Sequence, residues 1–152
     1  MRRLLARLLP SRRPASTSVR RPAADRGDQL GYDPRPDGNP DPGEVVWAWV
    51  AYEDDPRQGK DRPVVVIGRR GDRLLGLMLT SKDHDRDAAD EARYGRHWMD
   101  VGSGGWDRQR RPSEVRLDRL LVLEPAAVRR EGAALDRAVF DSVINAALPF
   151  LG

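Results

Sequence analysis

One stretch of the chain is suited to phosphate chemistry. Arg62 lies in Gln58-Gly59-Lys60-Asp61-Arg62-Pro63, which runs directly into Val64-Val65-Val66-Ile67. Pro63 fixes its own φ and biases Arg62 toward extended backbone, and the β-branched run has the propensity of a strand covered on both faces. The guanidinium is therefore aimed by a rigid element at the end of a flexible loop. Its donors form a fixed fork and it keeps its proton near neutrality, which suits it to stabilise charge on phosphoryl oxygens rather than to act as a base. In the same loop with Gln58, Gly59 allows close backbone approach and Lys60 can meet a phosphate. Thr80 and Ser81 place two hydroxyls at the end of Leu75-Gly76-Leu77-Met78-Leu79. Arg116 and Arg119 read as exposed arginines that add positive charge to a groove. His84 and His97 are the only side chains whose ordinary pKa lies near neutrality, so they are the candidates for proton transfer. Trp47 and Trp49 serve either as stacking surfaces for bases or as core.

Other chemistries are absent. Without cysteine there is no disulfide, thiolate metal site or cysteine nucleophile, and a reducing, cytoplasmic compartment is expected. The histidines match no metal-ligand spacing, and neither a Walker loop nor G-x-S-x-G occurs, so neither metal nor cofactor is expected. No apolar run approaches the ~20 residues that span a bilayer.

The elements that must position these residues follow from the pattern after Gly43, where short apolar runs alternate with turn residues. Val45 to Val50 forms a strand with Val45, Trp47 and Trp49 on one face and Val46, Ala48 and Val50 on the other. Pro63 to Gly68 and Leu74 to Thr80 form a hairpin about Arg70-Gly71-Asp72. Residues 82–96 are a charged excursion. His97 to Val101, Glu114 to Leu117 and Leu120 to Leu123 are further strands. Pro125 to Arg130 reads as a short helix. A longer one starts after Asp136, with Leu135 and Phe140 as its hydrophobic staple and Val139, Phe140, Val143, Ala147 and Leu148 as its apolar stripe.

Before Gly43 the composition changes. Residues 1–42 carry nine Arg and five Asp, a balance of +4; removing these from 27 basic and 24 acidic residues leaves 18 and 19, or −1, for residues 43–152. A Pro-, Arg- and Asp-rich segment with few apolar groups is expected to be disordered and to add sequence-independent attraction to nucleic acid. The division is thus 1–42 tail, 43–152 domain, and deletion of the tail is expected to leave the fold intact.

Taken together, Gly43-Glu44-Val45-Val46-Trp47, the Gln58-to-Ile67 block, the strand ending in Thr80-Ser81, and Ser113-Glu114-Val115-Arg116-Leu117-Asp118-Arg119-Leu120 resemble the MazF/PemK toxins of type II toxin–antitoxin pairs over residues 43–148. The resemblance implies a mainly β (α+β) fold, a compact SH3-like barrel with a C-terminal amphipathic helix, that works as a homodimer. It also implies a metal-independent endoribonuclease cutting single-stranded RNA, with Arg62 and Thr80 as catalytic residues. A small acidic antitoxin would be the partner, with operator DNA met through the antitoxin complex. Three features depart from the family pattern. Lys60-Asp61 replaces a small or apolar pair, Leu121 stands where many members have arginine, and the 82–96 excursion is long and acidic. The alternative is a non-catalytic barrel that binds nucleic acid or a protein through the same groove.

Overall fold

A computed structural model describes residues 28–35, 39–81 and 96–151; the expected tail through residue 27 and most of the 82–96 excursion, His84 included, lie outside the described residues. The order is β1 (Asp28–Leu30), β2 (Glu44–Ala51), β3 (Gly59–Arg70), β4 (Arg73–Thr80), β5 (Trp98–Gly102), β6 (Ser113–Arg116), β7 (Leu121–Leu123), a 3-10 turn (Pro125–Ala127), β8 (Val128–Ala134) and helix α1 (Arg137–Leu151). The eight strands form one antiparallel sheet with the path β5-β6-β4-β3-β2-β8, while β1 joins the far end of β3 and β7 the near end of β4. The mainly β character with one C-terminal helix is as expected. The sheet is not closed: among the described residues its path ends at β5 and β8, which do not pair with each other.

Strand alternation sorts the core into two clusters on opposite faces. Val45, Val65, Ile67, Leu77 and Leu79 face α1 and pack with Phe140, Val143, Ile144, Ala147 and Leu151. Val46, Ala48, Val50, Val64, Val66 and Met78 fill the other face with Leu74 and Leu123. The helix begins just after Asp136, and both staple residues, Leu135 and Phe140, are buried.

Three expected element boundaries differ in the structure. The ordered fold begins before Gly43. Leu30 is 3% exposed, and Arg70 Nη2 donates to buried Asp28 at 2.9 Å. The Tyr32 hydroxyl donates to Leu135 O at 2.7 Å while its ring meets Phe140 edge-on. Gly68 makes the approach of β1 possible, since a Cβ there would lie 2.1 Å from Gln29 O. Second, Val128–Ala134 is a strand rather than the end of a helix: only Pro125–Ala127 is helical, and the polar, Ala- and Gly-containing segment after it is held as an edge by its ladder to β2. Third, β3 starts at Gly59, so Gly59 and Lys60 are ladder residues paired with Ala51 and Val50, not loop.

Arg116 is not the exposed arginine expected on a strand edge. It is 5% exposed, beneath the Trp98 ring. Its Nη1 and Nη2 donate to Glu53 Oε1 and Oε2 at 2.7 and 3.0 Å, and Nε and Nη2 donate to Asp118 Oδ1 and Oδ2 at 3.1 and 3.0 Å. Asp118 also accepts the His97 N–H at 2.7 Å. Burial alone would push the Asp118 carboxyl up, but the bonds from Arg116 and His97 outweigh it and hold it below the usual carboxylate range.

Leu30→Ala is expected to lower the unfolding free energy by about 2–4 kcal/mol in a urea titration, the usual cost of truncating a buried leucine. A change within ~0.5 kcal/mol, as expected for surface sites, would place β1 outside the cooperative unit. The Asp118 carboxylate binds its proton less readily folded than unfolded, so its stabilisation is present above the unfolded pKa of ~3.9 and disappears as pH falls through the lower folded value. Urea titrations at a series of pH values below ~5 should therefore show a smaller acid-side loss for Asp118→Asn than for the wild type. Equal pH slopes would contradict the assignment.

Candidate RNA-binding cavity

The loop Tyr52–Gln58, which joins β2 to β3, is closed by its own bonds. Tyr52 N–H donates to Gln58 O at 2.8 Å, Gln58 N–H to Asp55 O at 2.9 Å, and Arg57 Nε to Asp55 Oδ1 at 3.2 Å. Glu53 ties this loop to Arg116 on β6. Between the loop and the sheet opens a cavity of about 270 Å³ walled by Ala51, Tyr52, Glu53, Asp54, Arg62, Met78, Arg96, Arg116 and Arg119.

Arg62 is held inside β3, opposite Ala48 of β2, rather than at a loop end. It shares a sheet face with Val64, so its side chain reaches the cavity beside Met78. Among the described residues the Arg62 side chain meets no carboxylate. Neighbouring Asp61 alternates to the other face, where it accepts from Arg129 Nη1 at 3.4 Å, and so does not neutralise the adjacent arginine. The β3–β4 ladder ends with Val64 opposite Met78, and Arg62 and Thr80 each lie two residues beyond that pair on their own strands. Thr80 is half-buried, shares the Met78 face and pairs with Glu114 of β6 on its other side. Arg62 and Thr80 thus lie on adjacent strands, and of the two only Arg62 is in the cavity wall.

The remaining expected site residues divide. Arg119 lines the cavity, anchored through Nη2 to Ala51 O at 2.8 Å. Arg116 lines it too, but with its charge already met by Glu53 and Asp118 it serves as a structural tie rather than a free phosphate contact. Lys60 is exposed and shares the Arg62 face two residues away; Ser81 is exposed just beyond β4, and Gln58 is exposed at the loop end. Gly59 has a packing role: a Cβ there would lie 2.3 Å from Val50 O and 2.7 Å from the Trp49 ring. His97 does not line the cavity. Its ring stacks on Phe150 with centroids 4.6 Å apart. Trp47 is half-buried with Nε1 donating to Trp106 O at 3.0 Å, whereas Trp49 is 47% exposed.

Glu53, Asp54, Tyr52 and Arg96 were not singled out by sequence. The available signal was Glu53-Asp54-Asp55, an acidic run immediately after the apolar β2 strand and on the loop leading back to Arg62. Arg116 holds the Glu53 carboxyl below its usual range, more than offsetting its partial burial, so at neutral pH Glu53 is an acceptor only. The cavity therefore combines arginine donors suited to an anion with a carboxylate that repels one. Among the described residues, no group of three or more His, Cys, Asp or Glu is placed to hold a metal ion. No described helix is long and apolar enough to cross a membrane.

A family model described as PemK-like, MazF-like toxin of type II toxin–antitoxin system matches residues 41–151. Among solved structures, a MazE-MazF structure (Form-II) from Deinococcus radiodurans has a TM-score of 0.52 at 18% identity and covers 76% of this chain and 98% of that one. Its Form-III counterpart gives 0.51 at 18% identity, with 74% and 96% covered. At these identities the likeness concerns the fold. No curated protein matches the chain significantly. The family match takes in β2 through α1, and thus the strands that carry Arg62 and Thr80; the chain belongs to the PemK-like, MazF-like toxins of type II toxin–antitoxin systems.

Proposed function

We propose that the protein is a metal-independent endoribonuclease toxin that cuts single-stranded RNA at short sequences and is restrained by a small acidic antitoxin. The observation that carries this reading is the state of Arg62. It is a cavity arginine on the strand beside the one that ends in a hydroxyl, and no described carboxylate compensates it. A cation held without a partner at the wall of a concave site is a ready phosphate clamp. Antitoxin restraint is supported by the family and by the MazE-MazF pairing in the structures of like fold. The homodimer and operator contact through the antitoxin rest on the family alone.

In this mechanism the ribose 2′-hydroxyl gives up its proton as its oxygen attacks phosphorus, the bond from phosphorus to the 5′-oxygen breaks, and that oxygen takes up a proton, giving a 2′,3′-cyclic phosphate and a 5′-hydroxyl. Arg62 neutralises the charge that grows on the non-bridging oxygens, and the Thr80 hydroxyl donates to the same phosphoryl group. Arg119, and Lys60 on the same face as Arg62, guide the adjoining phosphates. His97, turned onto Phe150, takes no part in proton transfer; His84 remains the histidine candidate.

Purified protein should cut single-stranded RNA with EDTA present, and end analysis should find the cyclic phosphate. Arg62→Ala should lose ~10²–10³ in rate, the usual cost of removing one strong transition-state donor. RNA left intact by the wild type at low salt, over many sequences, would favour a non-catalytic binding module. An Arg62→Ala enzyme with near wild-type rates would exclude the clamp.

A further inference from the structure

A carboxylate in a cleft that receives phosphates opposes them, but it can also accept a bond from a base. Asp118 takes the Nε donor and one Nη2 donor of Arg116, with side chains 6% and 10% exposed, and Glu53 accepts from Nη1 and Nη2. Glu53 is the second carboxylate on that guanidinium and is half exposed. Asp118 repels it while Arg116 and Arg119 attract it, which leaves an ionised carboxylate at the cavity wall. Each carboxylate oxygen can accept a further bond beyond the one from Arg116, so Glu53 retains acceptor capacity directed by a rigid support.

We propose that Glu53 is a specificity-determining residue, accepting a hydrogen bond from the exocyclic amino group of one nucleobase while Arg62 holds a neighbouring phosphate. This rests on the reading of the cavity as an RNA site and extends it to base choice. Adenine, cytosine and guanine carry such an amino group. Uracil flanks its single N–H with carbonyl oxygens, which a fixed carboxylate repels. Asp54, also on the cavity wall, adds to that bias, while Arg96 and Arg119 supply the opposite charge for the backbone. Arg116 acts through Glu53 as a positioning residue. It fixes the carboxylate in the plane of the fork and keeps it ionised, which excludes Glu53 as a donor at neutral pH.

The test uses the full chain and short single-stranded RNAs differing at one base. Each amino-bearing base is compared with its counterpart lacking the exocyclic amino group, adenine with purine, guanine with hypoxanthine and cytosine with 2-pyrimidinone. Competition binding is measured beside cleavage, so a protein that binds without cutting still reports on Glu53. At one position the wild type should favour the amino-bearing base about ten-fold or more, the usual worth of a base-edge contact. Glu53→Gln, whose amide both donates and accepts, should lose most of that preference and admit uracil there, with other positions unchanged. Equal discrimination by wild type and Glu53→Gln at every position overturns the proposal. So does a uniform loss over all sequences, which would mark Glu53 as a structural tie. Selective binding that depends on Glu53 in a protein that cuts nothing supports the proposal while removing the ribonuclease reading; a wild type that binds no RNA removes both.

Discussion

The buried guanidinium of Arg116 is the constraint around which the candidate site is arranged. A charge at 5% exposure under the Trp98 ring is tolerated only with its donors met, and Asp118 and Glu53 meet them from different parts of the chain. Asp118 follows β6 by two residues and also accepts the N–H of His97, which fixes the entry to β5. Glu53 comes from the loop after β2, so the same ion cluster holds that loop over the sheet. The outcome is a cavity with a defined wall before any ligand arrives.

Arg62 is the counterpart of Arg116 in the same cavity. Strand alternation sends Asp61 to the opposite face and Arg129, which leaves Arg62 without a carboxylate among the described residues. Sequence proximity of an acid and a base says little here, because adjacent residues on a strand point to opposite faces. One arginine is compensated and spent on structure. The other is left available for an anion.

Much of the fold was legible because its signals are local. The β-branched run after Pro63, the turn at Gly71 and the apolar stripe of α1 each carry their own periodicity, and the structure places strands, hairpin and helix there. The strands that were missed have no such signal. Asp28-Gln29-Leu30 is a strand because Leu30 enters the core, Gly68 leaves room and Arg70 answers Asp28; Val128–Ala134 is one because β2 offers an edge. The site divided in the same way. Arg62 and Thr80 were visible from motif and strand ends, whereas the roles of Arg116 and Glu53 depend on a contact spanning 63 residues. Gly59, read as loop flexibility, is a close-packing position beneath Trp49.

Arg62, with no carboxylate partner among the described residues, is the proposed phosphate contact. The most direct measurement is the salt dependence of binding for a single-stranded RNA whose 2′-hydroxyls are replaced so that it cannot be cut, compared between wild type and Arg62→Gln. Loss of one phosphate contact should make the slope of log K against log salt shallower by roughly 0.7. An unchanged slope, with unchanged affinity, would contradict the assignment of Arg62 to the phosphate.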